Sequence, residues 1–169
     1  MRIPIPLVAA LVAGVLANSA YAQHVPTFDD CSVTIEHKRA TPRVKFSDAV
    51  ERQYQTVIRD AAKGPIDFAG HYILATWGCG SGCVMAAAID AKTGRVTSLP
   101  FTVSDWPLEV TEPLSYHANS CLLVVRGSRN ESAGHGTYYY TFDGKAFQLR
   151  ASEIETKHQA RDEARKSAQ

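Results

Sequence analysis

Apolar positions along this chain follow two periods. Between Asp48 and Lys63, the residues Val50, Tyr54, Val57, Ile58 and Ala61 recur at helical spacing on one face, with Ser47 in the N-cap position ahead of them. Gly64-Pro65 ends that helix with a C′ glycine followed by a residue that cannot continue it. Such a stripe is a core face laid on a sheet. From Phe68 onward the signals are those of strands: Gly70 to Trp77, Cys83 to Asp90, Arg95 to Leu99, Pro113 to His117, Cys121 to Gly127, Thr137 to Phe142 and Lys145 to Arg150. Asp90-Ala91-Lys92-Thr93-Gly94 reads as a turn, and Asp143-Gly144 is a short-range hairpin signal. Leu122-Leu123-Val124-Val125 is apolar on both faces and suits an interior strand. The Val84–Ile89 run fits helix or strand; strand is preferred, because a helix would barely form before the punctuation at Asp90 to Gly94. Its alanines leave room for the helix to pack closely.

These elements predict one α+β domain over residues 23–151, a mainly antiparallel β-meander with one amphipathic helix packed on the sheet. Residues 23–45 are irregular, punctuated by Pro26 and Pro42, with room for a short strand around Ser32 to Glu36. The charged tail, residues 152–169, has Ser152 and Glu155 at capping-box spacing and favourable pairs at Glu153–Lys157 and Asp162–Lys166. After Ile154 it has almost no apolar face, so a solvated, fraying helix or a disordered tail is expected.

The N-terminus changes the setting. Met1 and Arg2 form a small positive region, Val8 to Leu16 an apolar core, and Ala20-Tyr21-Ala22 a small-x-small cleavage pattern, so residues 1–22 read as a signal peptide that leaves Gln23 at the mature end. A periplasmic or secreted protein is expected, without membrane insertion of the mature chain. Arg2 is one of 18 basic residues, and its loss brings them level with the 17 acidic ones. A chain so balanced offers no bulk electrostatic case for nucleic acid.

In an oxidising compartment the four cysteines become a covalent framework. Trp77-Gly78-Cys79-Gly80-Ser81-Gly82-Cys83 is too glycine-rich for a helix and reads as a hairpin tip, with a Gly-Ser-Gly connection placing Cys79 opposite Cys83. Cys31 and Cys121 then form a second bridge. Metal ligation by Cys79 and Cys83 with His71, His117 or His135 lacks a second close-spaced pair, so no metal and no cofactor is expected. The loop matches neither a dinucleotide fingerprint nor a phosphate loop, and Ser81 does not stand in a Gly-x-Ser-x-Gly elbow. A hydrolase using Cys83 with a histidine requires a free Cys83 opening a helix. Candidate binding residues are Trp77 and Ser81 at the hairpin tip, with Arg126, Arg129 and His135 in or beside a long polar loop from Gly127 to Gly136. Tyr138, Tyr139 and Tyr140 must alternate across a strand.

The segments Phe68-Ala69-Gly70-His71-Tyr72, Trp77 to Cys83 and Ile89-Asp90-Ala91-Lys92-Thr93-Gly94-Arg95-Val96 carry a resemblance. Together with Ser120 to Val125 and the three tyrosines, they resemble a group of small exported bacterial proteins of unassigned function over residues 66–150. The resemblance supports the strand assignment at Cys83 to Asp90 and implies no reaction and no catalytic residues. The function expected is an exported, soluble binding module, an inhibitor or immunity-type partner of another envelope or secreted protein. The alternatives are the cell-envelope hydrolase and a structural envelope protein without a discrete ligand.

Overall fold

A computed structural model describes residues 24–37 and 40–155, so the expected signal peptide and the tail beyond Glu155 lie outside the described residues. The helical stripe folds as two short pieces, α1 (Ala49–Gln53) and α2 (Gln55–Ala61), instead of one continuous helix. Tyr54 separates them at φ −100°, ψ 20°, and its ring packs 5.2 Å from that of Trp77. The contact with the sheet outweighs the small propensity gained by one more helical residue. Asp48 is the N-cap where Ser47 was expected: its carboxylate accepts from the Glu51 N–H at 2.8 Å. Glu51 in turn accepts from the backbone N–H groups of Ser47 and Asp48, completing the capping box. Val50 of the predicted stripe is exposed, whereas Ile58 and Ala62 are wholly buried.

Eight strands follow: β1 (Tyr72–Gly80), β2 (Cys83–Asp90), β3 (Val96–Ser98), β4 (Val103–Ser104), β5 (Leu114–Tyr116), β6 (Leu122–Arg129), β7 (His135–Phe142) and β8 (Phe147–Ile154). They form one antiparallel sheet in the order β1-β2-β4-β6-β7-β8, with β3 on β2 and β5 on β6. Alternation along β1 and β2 feeds two cores. Tyr72, Leu74, Ala86 and Ala88 pack with Leu123, Val125, Tyr138 and Tyr140 of the other half of the sheet. Ile73, Ala75, Trp77, Ala87 and Ile89 pack with Ile58 and Ala62. Covered on both faces, β2 uses alanines to let its neighbours close in.

The path is less regular than a simple meander. Among the named strands, only the two-residue β4 links the half containing β1 to β3 with the half containing β5 to β8, through Cys83↔Ser104 and Val84↔Val103 on one side and Val103↔Arg129 and Ser104↔Ser128 on the other. Gly127 makes this junction possible: at φ +123°, an added Cβ would stand 2.4 Å from the Ser104 carbonyl oxygen. Gly127→Ala is therefore expected to destabilise by about 2–3 kcal/mol through combined backbone strain and overlap. Gly82→Ala, at φ +62° but with open space around it, should lose only about 1 kcal/mol. Urea unfolding midpoints of the two variants check the contrast.

Two boundaries differ from the sequence expectation. Ser152 does not open a helix: β8 runs to Ile154, pairing Ser152 with Tyr138 and Ile154 with Gly136. Gly136 leaves the space that β8 needs, since a Cβ there would meet the Glu153 carbonyl at 2.2 Å. Around residues 32–36 there is a single bridge, Ser32↔Ser120, with further backbone bonds from Val33 to Asn119 and from Glu36 to Gly70, but no strand. Both expected disulfides are present, Cys31–Cys121 and Cys79–Cys83.

Candidate functional site

The two ends of β1 carry different surfaces. At its C-terminal end the strand continues through Gly80, which pairs with Cys83, so the connection is the two-residue turn Ser81-Gly82 and not Gly-Ser-Gly. Cys79 falls in the register shift between Gly78 and Gly80 and reaches Cys83 from there, with Cα atoms 5.1 Å apart. Cys83 is thus both disulfide-bonded and on a strand. The free thiol and helix start that a cysteine hydrolase requires are both missing from this oxidised state. The three candidate histidines lie apart: His71 precedes β1, His117 stacks 3.9 Å from Phe28, and His135 opens β7.

The sequence-predicted binding residues separate into packed and accessible ones. Trp77 is buried in the helix-facing core, not displayed at the tip. Arg129 is half-buried, its guanidinium 3.9 Å from the Tyr138 ring centroid and donating to the Tyr140 hydroxyl at 2.6 Å. These contacts make it an internal clamp between strands. Ser81, Arg126 and His135 are exposed. Arg126 shares its side of the sheet with Tyr139, whose phenol is pushed up to about 12 by burial, by its hydrogen bond to Glu153 and by that carboxylate's charge. The long polar loop shrinks to residues 130–134, because β6 and β7 extend into it. Asn130 there accepts from the Thr102 N–H at 3.0 Å, a structural role.

Beside the hairpin tip stands a surface that sequence patterning overlooked. Residues 105–113 leave β4 at Ser104, which pairs with Cys83. The loop is held at its start by Trp106, packed on the main core, and just beyond its end by buried Leu114. Between these anchors the Val110 N–H donates to the Pro107 carbonyl at 2.9 Å, closing a turn with Leu108 and Glu109 at its centre. Leu108 is fully exposed. The loop carries Asp105, Glu109 and Glu112 and no lysine or arginine. The His135 ring reaches its base, with Nδ1 3.4 Å from the Asp105 carbonyl. A signal was available in the prolines at 107 and 113, which bracket an acidic, apolar stretch that fits no strand.

At the other end of β1, the Phe68–Tyr72 and Ile89–Val96 segments meet. The Ala91 N–H donates to the His71 carbonyl at 3.0 Å. Here lies a cleft of about 760 Å³, lined by Glu36, His71 and Lys92 together with Pro42, Ile66 and Ala91. Lys92 Nζ stands 2.8 Å from each Glu36 carboxylate oxygen, and His71 Nδ1 is 3.6 Å from Oε1. The hydrogen bond from Lys92 holds the Glu36 carboxyl below its ordinary range. Asp90 is occupied by its own turn: burial raises its pKa, but donors from Thr93 and the Lys92 N–H outweigh that and leave it lowered.

No protein-family model, curated protein or solved structure matches this chain. Function is accordingly read from these two surfaces. No helix among the described residues is long and apolar enough to cross a membrane.

Proposed function

We propose that this protein is an exported binding module that engages another exported protein through the 105–113 loop, as an inhibitor or immunity-type partner. One observation carries this: Leu108 stands fully exposed at the apex of a closed turn whose flanks are packed into the core. A turn held in this way gives up little backbone freedom on binding. Burying Leu108 would contribute about 1.5–3 kcal/mol, enough to act as a central anchor. The acidic residues around it select a partner with an apolar pocket rimmed by basic groups. The two disulfides support an oxidising location.

Affinity capture from envelope extract tests the proposal with wild-type protein, Leu108→Asp, and Lys92→Met as a remote control. The expected result is one protein retained by wild type and by Lys92→Met, released by raised salt, and reduced at least about tenfold with Leu108→Asp. Equal retention by Leu108→Asp, or no retained protein, would overturn it.

A further inference from the structure

The end of β1 nearest the disulfide-bonded hairpin carries an open strand edge. β1 pairs with β2 on one side only, and in an antiparallel ladder alternate residues turn their N–H and C=O groups away from the partner. Two contacts fix which residues do so here. The Tyr72 N–H donates to the Phe68 carbonyl at 2.9 Å, and the Leu74 N–H donates to the Asp67 carboxylate at 2.8 Å. The outward residues are therefore Tyr72, Leu74, Thr76 and Gly78. The first two donors are capped by the chain that leads into the strand. Those of Thr76 and Gly78, both exposed, meet no acceptor among the described residues. The far edge of the sheet is built differently: a register shift in β8 leaves Arg150 without a partner across β7, and such a bulge obstructs further pairing.

A groove runs along the uncapped stretch. Thr76, Trp77 and Gly78 line one wall, and Trp106, Glu112 and Leu114 the other. Three consecutive β1 residues take part although their side chains alternate between faces, so the groove follows the strand's backbone. Its volume, about 230 Å³, is below the ~300–1,000 Å³ typical of small-molecule sites. An added strand fits it better than a compact ligand. Residues of that strand opposite Thr76 and Gly78 would share their face of the sheet, the face on which Trp106 and Leu114 pack. Gly78 has no side chain to hold the strand away; an added Cβ there would meet only the Cys83 carbonyl oxygen, at 3.8 Å. Glu112 is the one charged residue lining the groove, and its loop carries two further acids and no lysine or arginine. The matching segment is therefore basic. We propose that the β1 edge takes an extended segment of a partner protein as an added strand, with apolar side chains opposite Thr76 and Gly78 and a lysine or arginine beside Glu112. This surface is the inner wall of the 105–113 loop and does not use Leu108.

The probe is the capped peptide acetyl-Lys-Val-Thr-Val-Lys-amide, titrated into the protein of residues 23–169 and followed by nuclear magnetic resonance. It is expected to bind saturably and to slow hydrogen exchange at the Thr76 and Gly78 amides at least about tenfold. Two N-methylated forms of the peptide, blocked at alternate amides, should differ by at least about tenfold, because only one set of amides faces β1. Gly78→Pro, which removes an edge donor that the fold does not use, should bind at least about tenfold more weakly than Gly78→Ala, which keeps it. No binding at millimolar peptide, equal binding of the two methylated forms, or unchanged exchange at saturation would overturn the assignment. So would protection of the same amides before peptide is added, whether by a second copy or by residues 156–169. The methylated peptides are read on unaltered protein, so a variant that fails to fold does not blunt the test. The Leu108 anchor is read separately, by capture with Leu108→Asp, and either reading fails without the other.

Discussion

Replacing Cys31 and Cys121 together by serine is expected to lower the free energy of unfolding by about 4.5 kcal/mol, against about 2 kcal/mol for the Cys79/Cys83 double replacement. The difference comes from the chain each bridge closes, with sequence separations of 90 and 4. The long bridge removes far more freedom from the unfolded ensemble. It also acts together with a set of hydrogen bonds that tie the N-terminal segment to the sheet. The Cys121 N–H donates to the Cys31 carbonyl at 2.9 Å, and the Ser120 hydroxyl donates to the Phe28 carbonyl at 2.7 Å. Domains of this size are stable by only about 5–15 kcal/mol, so the first change consumes a large share. Urea titration of both double variants checks it; equal losses would show that closed-loop length does not govern these bridges.

Phe68→Ala is expected to cost about 3–5 kcal/mol, and Phe68→Leu less than about 1.5 kcal/mol. Phe68 has no exposed surface. Its ring lies 5.6 Å from that of Phe142, 6.1 Å from Tyr116 and 6.2 Å from Phe147. Those three rings belong to β7, β5 and β8, so the truncated site is walled by separate strands and collapses poorly. Its backbone exchanges hydrogen bonds with Tyr72 in both directions, holding the turn that leads into β1. The loss should appear as a lower denaturation midpoint with an unchanged slope.

Much of the scaffold was legible because its signals are local. The Asp143-Gly144 turn, the Cys83–Asp90 strand and the Leu122–Val125 interior strand depend on residues that are neighbours in the chain. The pairing of four cysteines followed from one short hairpin, which left a single partner for each remaining cysteine. The helix break at Tyr54 was not legible, because the ring that draws it out of helical geometry belongs to Trp77 on a strand. Trp77 and Arg129 resembled recognition residues for the same reason: nothing nearby in sequence shows the Ile58 and Ala62 face that covers one, or the Tyr138 ring beneath the other.

The candidate surfaces divide in the same way. Exposure of Leu108 depends on two anchors in different parts of the fold, and the cleft depends on Glu36 meeting Lys92 across 56 positions of chain. Gly94 first read as a turn residue and Gly70 as the start of a strand, yet each also makes room for a distant backbone segment. By itself the sequence determined the α+β class, most strand positions and the disulfide pairing, since periodicity, turn chemistry and cysteine spacing act over a few residues. Only the tertiary structure decided which side chains are buried, how β4 joins the two halves of the sheet, and which charges face one another. Those outcomes depend on long-range packing, where a residue's environment comes from elements far away in the chain.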